Sequence, residues 1–121
     1  MTKESFFRNR IRSVGVALRG AVLLLRTEGS IQIQAAIVVL VTVAGFYFHI
    51  SATEWMLQVF SIGLVLGVEG LNTAVEKLSD FVQPKYDKQI GFIKDISAGA
   101  VMWVSVAATI IGLIIYIPKI F

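Results

Sequence analysis

WMLQVFSIGLVLGVEGLNTAVEKLSD, residues Trp55 to Asp80, couples an apolar run to a spaced set of polar residues. No charge occurs from Trp55 to Val68, and Glu69, Asn72, Glu76 and Asp80 then follow. Spacings of three and four residues place all four on one side of a helix, climbing about 1.5 Å per residue away from the apolar run. Ionisable groups at membrane depth are costly, so they face a bundle interior and mark functional sites. A helix simply emerging into water accounts for Asp80 and Glu76. It does not account for Glu69 and Asn72, set directly beside Gly67 and Val68. The stripe reads as a site.

A chain of 121 residues allows one domain. Hydrophobic residues make up 56% and charged residues only 16%, where soluble domains carry about a quarter. Ile31–Ile50 and Ile96–Ile117 contain no Asp, Glu, Lys or Arg, and each matches the roughly 20 residues needed to cross a bilayer. Trp55–Val68 is too short alone and spans only if its helix continues through the stripe. The sequence predicts an all-α membrane protein, one domain over 1–121. It has an N-terminal amphipathic surface helix over 5–28 and transmembrane helices over 31–50, 55–82 and 95–117. The first run is too long and begins too late for a cleaved signal peptide. Without cysteine, disulfides and thiolate metal sites are excluded.

Lys3, Arg8, Arg10, Arg12, Arg19 and Arg26 precede the first span, and Lys77, Lys85, Lys88 and Lys94 lie between the second and third. The turn from His49 to Glu54 has no Lys or Arg, and the tail has only Lys119. By the positive-inside rule, the N-terminus and the Lys77–Lys94 segment are cytoplasmic. The net charge of +3 therefore reflects topology and anionic lipid, not nucleic acid.

Before the first span, Phe7, Ile11, Val14, Leu18, Val22 and Leu25 recur at helical spacing, and Arg8, Arg12, Arg19 and Arg26 stay largely off that face. This is the pattern of a helix lying along a membrane surface, or of one packed on protein. Gly29-Ser30 is expected to break it. Glu28 stands at that break, near the depth at which Glu76 emerges, where the two carboxylates meet if their helices are neighbours. On the opposite side of the membrane, Ser51 or Thr53 is placed to cap the second span, with Glu54 at its positive end. Tyr47, Phe48 and Trp55 suit an aromatic belt, and His49 is interfacial. Gly63, Gly67 and Gly70, with Ser97 to Ala100, form small-residue patterns that allow close helix approach. Pro84 ends the second span. A flexible segment containing Lys85, Lys88 and Gly91 is expected next, able to close over a polyphosphate or merely to satisfy the positive-inside rule. Lys94 sits at the membrane boundary, within reach of Glu76 or of a phosphate.

Two carboxylates near an interface suit Mg2+, which takes oxygen ligands together with substrate phosphates. A lysine can hold a phosphoryl oxygen, and a further carboxylate can accept the proton of an attacking hydroxyl. Phosphoryl transfer needs mainly positioning and charge neutralisation. Neither a P-loop nor the protein-kinase motif set occurs.

Glu69-Gly-Leu-Asn72-Thr-Ala-Val-Glu76, followed by Asp80 and by Lys94-Asp95-Ile-Ser-Ala98-Gly-Ala-Val101, resembles the prokaryotic diacylglycerol kinase family, which includes undecaprenol kinases of Gram-positive bacteria. The likeness extends over nearly the whole chain. It implies an integral-membrane lipid kinase of the bacterial cytoplasmic (inner) membrane, acting as a homotrimer with shared active sites. ATP is the phosphoryl donor, a membrane lipid alcohol the acceptor, and Mg2+ the cofactor. Carried over by position, Glu69 resembles the general base at the lipid hydroxyl, and Asn72 the catalytic residue that positions the phosphates or Glu69. Glu28 and Glu76 resemble the metal-holding carboxylates. Lys94, Asp95 and Asp80 resemble nucleotide-contacting residues, and Ala98 a small residue lining the lipid site. Asn9 and Val16 stand where diacylglycerol kinases carry Arg and Tyr. The expected reaction converts diacylglycerol to phosphatidate. The alternative is undecaprenol to undecaprenyl phosphate, to which Thr73-Ala-Val-Glu76 with Ser97-Ala-Gly-Ala-Val101 leans. A non-enzymatic channel or transporter subunit is the remote third reading. It requires polar residues continuing across the membrane, and only Gln58, Ser61, Ser105 and Thr109 are available for that.

Overall fold

The computed structural model describes residues 3–121, which form helices α1 (Lys3–Thr27), α2 (Gly29–Tyr47), α3 (Ala52–Val82) and α4 (Lys88–Ile120). No strand occurs among the described residues. α2, α3 and α4 are each long and apolar enough to cross a membrane. The protein is an all-α membrane protein with three spanning helices behind an amphipathic one. α3 and α4 make the principal interface, while α2 leans more lightly on α3 and α1 on α2.

Burial is inverted relative to a soluble bundle. The inward face of α3 buries Gln58, Ser61, Glu69, Thr73 and Ser79, with Val65 the one aliphatic among them, while Phe60, Leu64, Leu71 and Leu78 point outward. Lipid solvates apolar side chains as well as another helix does, so polar groups are the ones that gain from facing inward. Gln58 shows what they do there. Its amide donates to the Val41 carbonyl at 3.1 Å and accepts from the Tyr116 hydroxyl at 2.5 Å, tying α2, α3 and α4 together.

α3 begins at Ala52 and not 55, α4 runs on to Ile120 and not 117, and three further boundaries differ from the sequence expectation for a local reason. The break between the first two helices falls on Glu28 alone (φ −109°, ψ 117°), whereas Gly29 and Ser30 are helical. An extended conformation is open to any residue, so the glycine is not needed for it. α2 stops at Tyr47 rather than Ile50. His49 takes φ 51°, its N–H bonds to the Phe46 carbonyl, and the Ile50 N–H reaches back to Gly45 at 3.1 Å. This is the Schellman stop, with His where Gly is usual, which is why composition did not announce it. α4 begins at Lys88, seven residues before the expected start. Asp87 caps it, accepting from the N–H groups of Gln89 (2.7 Å) and Ile90 (3.4 Å). The expected flexible loop therefore shrinks to 83–87, and Lys88 and Gly91 are helical.

At the turn between α2 and α3, Ser51 and Glu54 form a reciprocal capping box, and Glu54 also pairs with Lys119 at 2.7 Å. Gly45 lets Trp55 fold onto α2. A Cβ there would lie 2.6 Å and 2.7 Å from the indole ring, which cannot yield as a flexible chain end does. Gly45→Ala is expected to destabilise the protein by about 1–3 kcal/mol, read as a lower melting temperature in detergent. Gly63 and Gly67 have no such role within the chain, since a Cβ on either meets nothing within 4 Å. The close approach expected from them is not made inside this bundle. Gly70 alone of the three is approached, by Leu24 of α1.

Candidate active site

α3 outlasts its apolar run by four turns because Glu69, Asn72, Thr73 and Glu76 interrupt neither propensity nor packing, and Pro84 ends it only afterwards. This overhang carries the polar stripe. Glu69 is 8% exposed, and its Oε2 meets no hydrogen-bond partner among the described residues. Leaving a buried acceptor unpaired costs about 1–3 kcal/mol, so such an atom calls for a functional account. One turn on, the Thr73 hydroxyl donates to the Glu69 carbonyl at 3.1 Å. Asn72 Nδ2 donates to Glu76 Oε1 at 3.4 Å, and the Asn72 Oδ1 is the second buried oxygen with no partner. The stripe thus offers two unpaired buried oxygens below an exposed carboxylate that is already oriented by an amide.

Glu28 arrives from the α1–α2 break. Although it occupies the N-cap position of α2, its side chain makes no cap bond and instead pairs with Lys77 Nζ at 3.2 Å. The depth expected of Glu28 agrees with this contact, since Lys77 directly follows Glu76. The direct meeting of Glu28 and Glu76 is not what forms, because an ammonium takes the Glu28 carboxylate. The sequence marks Lys77 only as a topological charge. Its position next to Glu76 was the available signal.

α4 supplies the other wall. Its early start brings Lys94 into the helix, where Nζ meets Asp80 Oδ1 at 2.5 Å rather than Glu76. This contact gives Asp80 a place in the cluster, at the water-facing end of the stripe. Asp95 is exposed beside Lys94. Ala98 is exposed one turn further along, opening a shallow groove with Val101 and Met102 on the outer side of α4. Asn9 and Val16 are exposed on α1, whose apolar face from Phe7 to Leu25 is left uncovered by protein.

The sequence pattern of the prokaryotic diacylglycerol kinases matches residues 15–116, from the second half of α1 through α2 and α3 and most of α4. The chain belongs to that family. The kinase is also similar to the undecaprenol kinase of Bacillus subtilis (strain 168), 39% identical over 94 residues that cover 78% of this chain and 76% of that one. The matched region contains Glu28, the whole Glu69–Asp80 stripe and Lys94 to Ala98. This kinase is a phosphotransferase carried in a membrane.

The donor chemistry fits Mg2+. The oxygens of the stripe open to a cation are those of the Glu69, Asn72 and Glu76 side chains, and the chain has no cysteine. No group of three or more His, Cys, Asp or Glu that could hold a metal occurs among the described residues, so protein ligands alone do not make a cage. That is the usual condition of Mg2+, which completes its shell with water and phosphate. The Lys94–Asp80 pair contributes little to stability, because Asp80 is 63% exposed and such pairs are worth about 0–1 kcal/mol. Lys94→Met should therefore leave the melting temperature nearly unchanged. If Lys94 exchanges Asp80 for a phosphate of ATP, the change should raise the KM for ATP by roughly tenfold, the cost of about one charge-assisted contact. Steady-state kinetics against ATP at fixed lipid would check this.

Proposed function

We propose that the kinase transfers the γ-phosphoryl group of Mg-ATP to the primary hydroxyl of a long-chain polyprenol, undecaprenol foremost, at the cytoplasmic face of a bacterial inner membrane. The observation that carries this reading is the buried, unpaired Glu69 carboxylate oxygen at the apolar end of a stripe whose other end is charged and exposed. A lipid hydroxyl reaches such a site from below and a nucleotide from above.

Glu69 Oε2 takes the proton of the lipid hydroxyl as its oxygen bonds to the γ-phosphorus. The bond from that phosphorus to the β–γ bridging oxygen breaks, and ADP leaves. Asn72, between Glu69 and Glu76, orients the group in transit through its free Oδ1 and its amide. Glu28 and Glu76 would hold Mg2+, whose charge would offset that of the phosphate oxygens. Lys94 exchanges Asp80 for a phosphate oxygen, and Asp95 and Asp80 flank the nucleotide. α1 lies on the membrane with its apolar side down and its arginines towards headgroups.

The 39% identical undecaprenol kinase, with Thr73-Ala-Val-Glu76 and Ser97-Ala-Gly-Ala-Val101, supports undecaprenol ahead of diacylglycerol. Ala98 lies where the lipid approaches. We further propose a homotrimer. The Gly63 and Gly67 face of α3 is open, leaving room for the close approach of another helix. A pore has less support, because Gln58 and Ser61 are already engaged by Val41, Tyr116 and Leu57.

The deciding experiment incubates purified protein in mixed micelles with Mg-ATP and either undecaprenol or diacylglycerol. Faster phosphorylation of undecaprenol is expected. Equal or faster turnover of diacylglycerol would reverse the order of substrates, and no transfer to either would refute the reading.

A further inference from the structure

Glu28 stands between α1 and α2 in an extended conformation, and its side chain makes no cap bond to α2. It reaches α3 instead, where Lys77 Nζ lies 3.2 Å from its Oε1. The α1–α2 junction also meets α3 at Gly70, where Leu24 comes within 3.0 Å of a Cβ built on the glycine. Gly70 and Lys77 are seven residues apart and so share that face of α3. Lys77 directly follows Glu76 and points about 100° away from it, towards the junction rather than along the stripe. Of the two proposed metal-holding carboxylates, Glu28 carries an ammonium ion and Glu76 a neutral amide from Asn72. The pair is unevenly buried. The Lys77 side chain is 70% exposed and that of Glu28 only 23%. Glu28 is placed by the backbone break behind it, whereas Lys77 is a charge on a flexible stem. An exposed pair of this kind contributes little to stability, so it is readily exchanged.

We propose that Lys77 is a placeholder cation for Glu28, holding that carboxylate against α3 and giving way to a metal ion only when nucleotide phosphates receive the ammonium. Lys77 is then a positioning residue that acts through Glu28. The inference rests on the reading above, in which Glu28 and Glu76 take Mg2+. An ammonium ion and a free dication are rivals for one carboxylate, and the dication also meets the repulsion of Lys77. A nucleotide changes the balance. Its phosphate oxygens are anions to which Lys77 can turn, which leaves the Glu28 oxygen open to a hard cation. Metal therefore enters together with ATP rather than ahead of it, and Glu28 is already at α3 when the two arrive.

The test measures binding, with no lipid alcohol present and no turnover. Mn2+, a dication that accepts the same oxygen ligands, is titrated into the full-length protein in detergent, and free Mn2+ is followed by electron paramagnetic resonance. Without nucleotide, Lys77→Met should tighten Mn2+ binding by about two- to fivefold, the contribution of one exposed ion pair. Lys77→Arg keeps the pair and should bind Mn2+ as the natural chain does. With a saturating non-hydrolysable ATP analogue the advantage of Lys77→Met should vanish, because the phosphates then hold the ammonium of the natural chain. Combining it with Glu28→Gln should erase the advantage as well, since no carboxylate is left to compete for. A merely structural contact gives the opposite sign, because its loss frees Glu28 from α3 and weakens Mn2+ binding. Weaker or unchanged binding in Lys77→Met, where Glu28→Gln does weaken it, would overturn the proposal. An equal gain in the Glu28→Gln background, or one that persists with the analogue bound, would overturn it too. Mn2+ binding indifferent to both Glu28→Gln and Glu76→Gln would instead strike the metal assignment on which the proposal rests.

Discussion

Glu69→Gln should lower kcat by about 10²–10⁴-fold, the usual contribution of a positioned general base, with Mg-ATP binding nearly intact. The two side chains have the same shape, so the inward face of α3 and the Thr73 bond to the Glu69 backbone carbonyl survive the change. What changes is the atom with no partner, since Oε2 becomes part of an amide that cannot take a proton at neutral pH. The substitution also removes a buried ionisable acceptor that has no partner, so the variant should melt no lower than the natural protein, as is common where a side chain serves chemistry. Burst-free single-turnover phosphorylation, nucleotide binding by fluorescence and thermal melting in detergent together make the check. Turnover within about tenfold of the natural chain would remove Glu69 from the role of base.

Glu76→Gln should have the second-largest effect, on a different quantity. Its carboxylate is exposed and already takes a hydrogen bond from Asn72 at 3.4 Å, so its loss disturbs little packing. A neutral amide is a much poorer ligand for a hard dication than a carboxylate. The Mg2+ concentration for half-maximal ATP binding should rise by roughly 10–100-fold, while kcat at saturating Mg2+ falls less. Glu28→Gln should shift the same midpoint in the same direction but by less. The Glu28 carboxylate is neutralised by Lys77 before any metal arrives, so part of its attraction for a cation is already spent. A Mg2+ midpoint that moves in neither variant would take the metal away from both residues.

The polar stripe of the candidate site was legible in the chain because it is local to one helix. Glu69, Asn72, Glu76 and Asp80 lie within 12 consecutive residues, and helical periodicity alone aligns them. The three spans were equally legible, since an uncharged run of about 20 residues has few uses besides crossing a bilayer. The end of α2 was not legible, because the αL residue of its Schellman stop is His49 and not Gly. The start of α4 was hidden for a related reason. Asp87 is an ordinary N-cap residue, but hydropathy weighs Lys88 to Asp95 as loop, and only the cap bonds show that they are helix.

The ion pairs depended wholly on tertiary structure. Charge counting cannot say whether Lys94 faces Glu76, Asp80 or solvent, because one residue of helix turns a side chain by about 100°. The register of α4 on α3 decided for Asp80, and the extended Glu28 between α1 and α2 decided for Lys77. By itself, then, the sequence determined the membrane spans, the polar stripe and its order of depth, all of which follow from composition and period along a single helix. Only the packed bundle decided which charges meet and which oxygens of Glu69 and Asn72 stay unpaired. Those are relations between helices, set by how three of them lean together and not by the pattern on any one.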